Sequence, residues 1–127
     1  MEKLAITYEN IAAILSFDSS KEHLEKTLSN DEFNWDNIVI EGSKHLVLPA
    51  IYCKLTSKQL LHLLPEDLNI YLHKIASLNR KRNIEIQQQI NALSKLFKAH
   101  KINHAFLKGA ALVVCGYYTD IAERIIG

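Results

Sequence analysis

The sequence predicts a mainly α fold: a helical bundle with a long spine helix, followed by a short strand-turn-helix that begins an α/β layer. Three observations lead there. The 127 residues contain only four glycines and two prolines, too few punctuating residues for a chain of many strands and tight turns. Apolar residues recur at helical spacing through most of the chain. At Lys101 the character changes to a β-like run, Ile102-Asn103-His104-Ala105-Phe106-Leu107, with Lys108-Gly109 directly after it.

The elements follow in order. Thr7 is placed to cap a first helix over about Tyr8–Phe17, with Ile11, Ile14 and Leu15 on one face. Ser19 and Glu22 have the spacing of a capping box and open a short helix through Leu24 and Leu28. Residues 30–34 form a polar break. Asn34 caps a third helix that starts at Trp35, turns Ile38 and Val39 inward and carries Gly42 late in its course. Pro49 interrupts the apolar stretch Leu46-Val47-Leu48, and Ala50–Leu55 reads as a short helix. Thr56 and Gln59 form a further candidate capping box before Leu60 and Leu61. Pro65 suits a first helical position, and Glu66 and Asp67 suit its positive end. From there a helical pattern runs to about Ala99 through Leu68, Leu72, Ile75, Ile86, Ile90, Leu93 and Leu96. Arg82 breaks the stripe, which predicts a kink or an opening in the packing near Asn79–Asn83. A helix of this length is a bundle spine or a coiled coil, and the broken stripe favours the spine. Ala110–Tyr118 reads as a last helix of small and apolar residues. A single strand before it has no partner within the chain, so the α/β unit is incomplete by itself.

Composition narrows the function. With 48% apolar and 23% charged residues the chain has an ordinary globular balance, which excludes a disordered tail or a fibrous repeat. No apolar run reaches the ~18–20 residues of a membrane span. Acids flank the apolar stretch at the start and no small-residue cleavage site follows, so no secretory signal is expected. Cys53 and Cys115, without CxxC spacing, read as reduced, half-buried thiols of a cytoplasmic protein. The net charge of +1 conceals an asymmetry: residues 1–67 hold eleven acids against six Lys/Arg, residues 68–127 three acids against nine. A basic half can serve an anionic partner, although a run such as Arg80-Lys81-Arg82 usually only solvates a helix face.

The chemistry concentrates in Phe106-Leu107-Lys108-Gly109-Ala110-Ala111-Leu112. Gly109 allows a ligand close to the backbone, the helix start offers free N–H groups, and Lys108 adds a mobile cation, a combination suited to phosphate. The six histidines read as structural or surface residues; His100 and His104 have zinc-like spacing, but the helix is expected to end between them. Asp120 and Glu123 are the acids closest to the C-terminus, spaced to share a helical face. No Ser/His/Asp order, Walker loop or paired-carboxylate site is present.

From about Trp35 to Gly127 the chain resembles the uncharacterised nucleotidyltransferase family of the DNA polymerase β-like superfamily. The resemblance rests on Trp35-Asp36, His45-x-Val47-Leu48-Pro49, Tyr52-x-x-Leu55, and a long helix with Arg82-Asn83. The run Leu107–Leu112, the Tyr117-Tyr118 pair and Arg124-x-x-Gly127 complete it. Residues 1–34 match loosely. The resemblance implies a helical domain over 1–100 and the start of a nucleotidyltransferase α/β domain over 101–127. It implies that Lys108, Gly109 and Ala110 form the turn that holds the nucleoside triphosphate, with Arg124 beside it. It also implies Mg²⁺ held by an Asp-x-Asp pair directly after Arg-x-x-Gly. The chain stops at Gly127 without that pair. It is therefore expected to be an N-terminal portion, inactive as it stands, that keeps an excess of positive charge which downstream acids would offset. Where the family often has Pro after its Tyr, this chain has Thr119-Asp120, so the last helix is expected to run on toward Ile125 and Ile126.

Two other functions compete. One is a non-enzymatic module that forms a homo-oligomer through the long helix or the C-terminal segment, with Val113, Val114, Ile121, Ile125 and Ile126 as exposed apolar surface. The other is nucleic-acid binding through Arg80–Arg82, which has no helix-turn-helix or stacking motif behind it.

Overall fold

The computed structural model describes the backbone of residues 2–126 and the side chains of residues 3–126. Among these residues there are six α-helices and no strand. The helices are α1 (Glu2–Leu15), α2 (Lys21–Leu28), α3 (Trp35–Lys44), α4 (Leu48–Ser57), α5 (Glu66–Ala99) and α6 (Lys108–Val114), with a 3₁₀ turn at Leu61–Leu63. Ile11, Ile14, Leu24, Ile38, Ile51, Leu55 and Leu72 meet in one buried core, so α1–α4 pack around the first turns of α5.

Several helix starts differ from the expected ones. The first helix begins at Glu2, and Thr7 lies inside it, buried, with its hydroxyl donating to the Lys3 carbonyl at 2.8 Å. Thr7 is therefore no cap. Ser20 rather than Ser19 caps α2, its Oγ accepting from the His23 N–H at 3.4 Å. Asn34 caps α3 as expected, with Oδ1 accepting from Asn37 N–H at 3.1 Å. α4 starts at Leu48 and takes Pro49 into its first turn, where a missing N–H leaves no helical bond unmade. Thr56 stays inside α4 and donates to Tyr52 O, so no capping box forms there. Pro65 precedes α5 as its N-cap.

The chain reverses with little glycine by closing four helices in the same way. Leu46, Gln59, Lys101 and Gly116 follow α3, α4, α5 and α6, with φ of 58°, 59°, 55° and 72°. After each, the next N–H reaches back: Val47 to Gly42 O, Leu60 to Leu55 O, Ile102 to Phe97 O and Tyr117 to Leu112 O. This is the Schellman closure. Three of these positions carry a side chain at a strain of roughly 1 kcal/mol each. The end of α1 is closed by a cation instead: Lys58 Nζ donates to Ile14 O at 2.6 Å and Ser16 O at 2.8 Å. Burial lowers the Lys58 pKa, and the neighbouring Lys54 charge adds to this.

The spine helix α5 is continuous from Glu66 to Ala99, and the expected opening near Asn79–Asn83 takes another form. Asn79 and Asn83 face inward and are buried, while Arg82 points to solvent. The gap in the apolar stripe is a polar seat, described below. Residues 102–107 form no strand among the described residues, because no neighbouring strand takes up their N–H and C=O groups. They fold back on α5 instead: His104 Nε2 meets Ser94 Oγ at 3.0 Å, and its ring lies 5.1 Å from Phe97.

The last helix is shorter than expected. α6 ends at Val114, where Gly116 closes it, and residues 117–126 are irregular. The helix does not reach Tyr118, nor does it resume toward Ile125 and Ile126. Val113 and Ile126 are buried rather than exposed, whereas Val114 is exposed. No described helix is long and apolar enough to cross a membrane.

Candidate functional site

Lys108 is the first residue of α6, and its φ is +56°. The other three side-chain-bearing residues in the left-handed region close helices; Lys108 alone opens one. No glycine relieves this backbone, and the lysine is exposed. Gly109 is buried and Ala110 half-buried. The Arg124 side chain lies across Gly109: a Cβ added there would sit 2.9 Å from Nε and 3.5 Å from Cδ and Cζ. Arg124 is itself exposed, and its Nη1 donates to the Tyr118 hydroxyl at 3.1 Å. The structure thus brings Gly109 and Arg124 into contact next to Lys108 and Ala110. Gly127, the end of the Arg-x-x-Gly step, lies outside the described residues.

The segment that carries Arg124 is anchored from α4 and α5. Asn79 Nδ2 donates to Ala122 O at 2.7 Å and to Arg124 O at 2.9 Å. Asn83 Nδ2, one turn along, donates to Ile121 O at 2.6 Å and to Arg124 O at 2.7 Å. Arg80 pairs with Asp120 at 2.9 Å, and Asp120 Oδ1 accepts from Ala122 N–H at 2.9 Å. Burial raises the Asp120 pKa, but the Arg80 guanidinium and the Ala122 N–H outweigh it and hold the carboxyl below its ordinary value. Glu123 pairs with Lys54 at 3.6 Å, and Lys54 lies over the Phe17 ring.

These contacts place several sequence candidates. Asp120 and Glu123 lie on a turn, not on a shared helical face, and each is taken up by a cation. No group of three potential metal ligands exists among the described residues. The Asp-x-Asp pair through which the resemblance implies Mg²⁺ is not among the residues of this sequence. Arg80 is committed to Asp120, which removes one cation from the Arg80–Arg82 run. His45 meets Tyr8 at 3.2 Å and lies beside Glu41, and His73 meets Tyr52 at 2.9 Å. Cys53 is buried and Cys115 exposed, so neither is half-buried. Burial, and after it the Asp120 and Glu123 charges, push the Cys53 thiol up to about 12.

Sequence reasoning noted the break at Asn79–Asn83 and the Tyr117-Tyr118 pair but gave Asn79, Asn83 and Tyr118 no role at the site. The signal for the first two was present: two amides four residues apart, on the buried face, at the point where the apolar stripe fails. A groove of about 390 Å³ borders the site, between the α3–α4 corner (His45, Leu46, Val47) and Tyr118, Arg124 and Ile125. A larger open groove of about 710 Å³ lies between α1, α2 and α3, lined in part by Lys3, His23 and Lys26 and away from Gly109.

Packed helices lead into a Lys108-Gly109 turn crossed by Arg124, without the strand that the resemblance implied before it among the described residues. The profile of a family described as uncharacterised nucleotidyltransferase matches residues 31–127, and the chain belongs to that family. No curated protein and no solved structure matches it.

Proposed function

We propose that this chain serves nucleotidyl transfer from a nucleoside triphosphate to an acceptor, with Lys108, Gly109, Ala110 and Arg124 receiving the triphosphate. Residues 1–100 then form the helical domain that supports or recognises the acceptor, and residues 101–127 begin the nucleotidyltransferase domain. The observation that carries this reading is the contact of Arg124 with Gly109 beside Lys108, within a chain of this family. Two exposed cations, Lys108 and Arg124, flank the Gly109 turn and supply donors suited to a phosphate. These 127 residues contain no Asp-x-Asp pair, so no metal-dependent step is assigned to them and the chain by itself is expected to be inactive.

Titration with ATP or tripolyphosphate tests the reading. Saturable binding that weakens with salt, and is reduced in both Lys108→Ala and Arg124→Ala, is expected. A chain that binds neither anion at millimolar concentration would overturn it.

A second reading is a homo-oligomer through the long helix. It is favoured by Leu93, Leu96, Ile102 and Leu107, which remain 45%, 52%, 51% and 77% exposed. A monodisperse monomer in sedimentation at rising concentration would remove it.

A further inference from the structure

We infer that Asn79 and Asn83 are positioning residues that hold Arg124 across the Gly109 turn; the benefit to anion binding rests on the proposed function, the positioning itself does not. Both amides converge on one acceptor, the Arg124 carbonyl, at 2.9 and 2.7 Å. Their second bonds, to Ala122 O and Ile121 O, fix the preceding part of the same segment. Residues 121–124 have no helical ladder, so their carbonyls would otherwise face the interior unpaired.

Two features argue against a generic packing role. Asn83 is fully buried, yet its Oδ1 has no hydrogen-bond partner. Turning the amide over would give Oδ1 a new neighbourhood but set it against two carbonyl oxygens. The side chain keeps an unsatisfied acceptor in order to donate twice to the segment carrying Arg124. The second feature is the shared target. Two donors on one rigid helix fix the position of a single backbone carbonyl, and with it the Cα from which the Arg124 side chain reaches Gly109 and Tyr118. α5 is thereby a ruler that sets where that guanidinium stands.

The test uses Asn79→Ala and Asn83→Ala in the intact chain, with Asn83→Asp, which keeps the shape of the side chain and loses its donors. The first readout is the Arg124 Nε–H resonance without ligand. In the wild type it is expected to be shifted from that of a free arginine; in the variants it collapses toward the free position while the fold still melts cooperatively. An unchanged Arg124 signal in folded variants would overturn the positioning role. Asn79→Ala leaves both Asn83 bonds in place, so the question stays answerable if the Asn83 variants do not fold.

The second readout is tripolyphosphate affinity. Each Asn→Ala change is expected to weaken binding about tenfold. The double variant Asn79→Ala/Arg124→Ala is expected to be no weaker than Arg124→Ala alone, because both changes remove one interaction. Multiplicative losses would show that Asn79 acts independently of Arg124 and overturn the inference. If the wild type binds no tripolyphosphate, the nucleotide reading fails, and the resonance decides the positioning role by itself.

Discussion

Lys108 occupies the most unusual backbone conformation of the candidate site. A left-handed lysine opening a helix is strained, and such strain concentrates where a side chain is aimed for use. Lys108→Gly is therefore expected to raise stability by about 0.5–1 kcal/mol in urea denaturation while weakening anion binding. Lys108→Ala is expected to weaken binding equally without that gain. A loss of stability in Lys108→Gly would show that the turn is not strained. The two cysteines differ as sharply. With its pKa pushed up to about 12, buried Cys53 is expected to resist alkylation at neutral pH, while exposed Cys115 reacts. Mass spectrometry is expected to find one modified thiol in the native chain and two after unfolding.

At the scale of elements, the C-terminal end of α1 is closed by one cation, at the C-cap of α4. Lys58 meets the last carbonyls of α1 and joins the N-terminal helix to the bundle. Lys58→Met, which keeps the apolar stem, is expected to cost about 1–2 kcal/mol in denaturant midpoint analysis and to free the end of α1 in hydrogen exchange. An unchanged midpoint would mean that water closes α1 equally well. Much of the element plan was legible in the sequence. The α5 pattern, the Asn34 cap and the polar break after α2 all depend on residues within one or two turns of each other. The ends of α1 and α6 were not legible in the same way. Thr7 and Ser19 both have the chemistry of a cap, and only the register of the surrounding core decides whether it is used.

For the whole molecule, the seat of the C-terminal segment is the decisive junction, and it is electrostatic as well as hydrogen-bonded. Asp120, at its entry, has a folded-state pKa below its ordinary value, so it contributes stability that is fully present above about pH 4. That contribution is lost as the pH falls through the lowered pKa. Glu41, held down chiefly by its bond from Lys44, acts in the same direction. Melting temperature is expected to fall between pH 5 and about pH 3, and Asp120→Asn to flatten part of that fall. An identical pH profile for Asp120→Asn would show that the Arg80 pair contributes nothing.

The sequence by itself determined the helical class, the extent of the spine, the family and the Lys108-Gly109 turn, since each is written in local spacing or in a contiguous motif. It also marked the break at Asn79–Asn83, as a kink or an opening in the packing. Tertiary structure alone decided what fills that break. The Ile121, Ala122 and Arg124 carbonyls are hydrogen-bonded by amides about forty residues earlier in the chain, and no local pattern records such a partner. The last segment, whose composition favours a helix, is irregular instead, and three of its carbonyls accept from Asn79 and Asn83. Arg124 consequently lies against Gly109 through the geometry of α5, a relation that spacing along the chain does not contain.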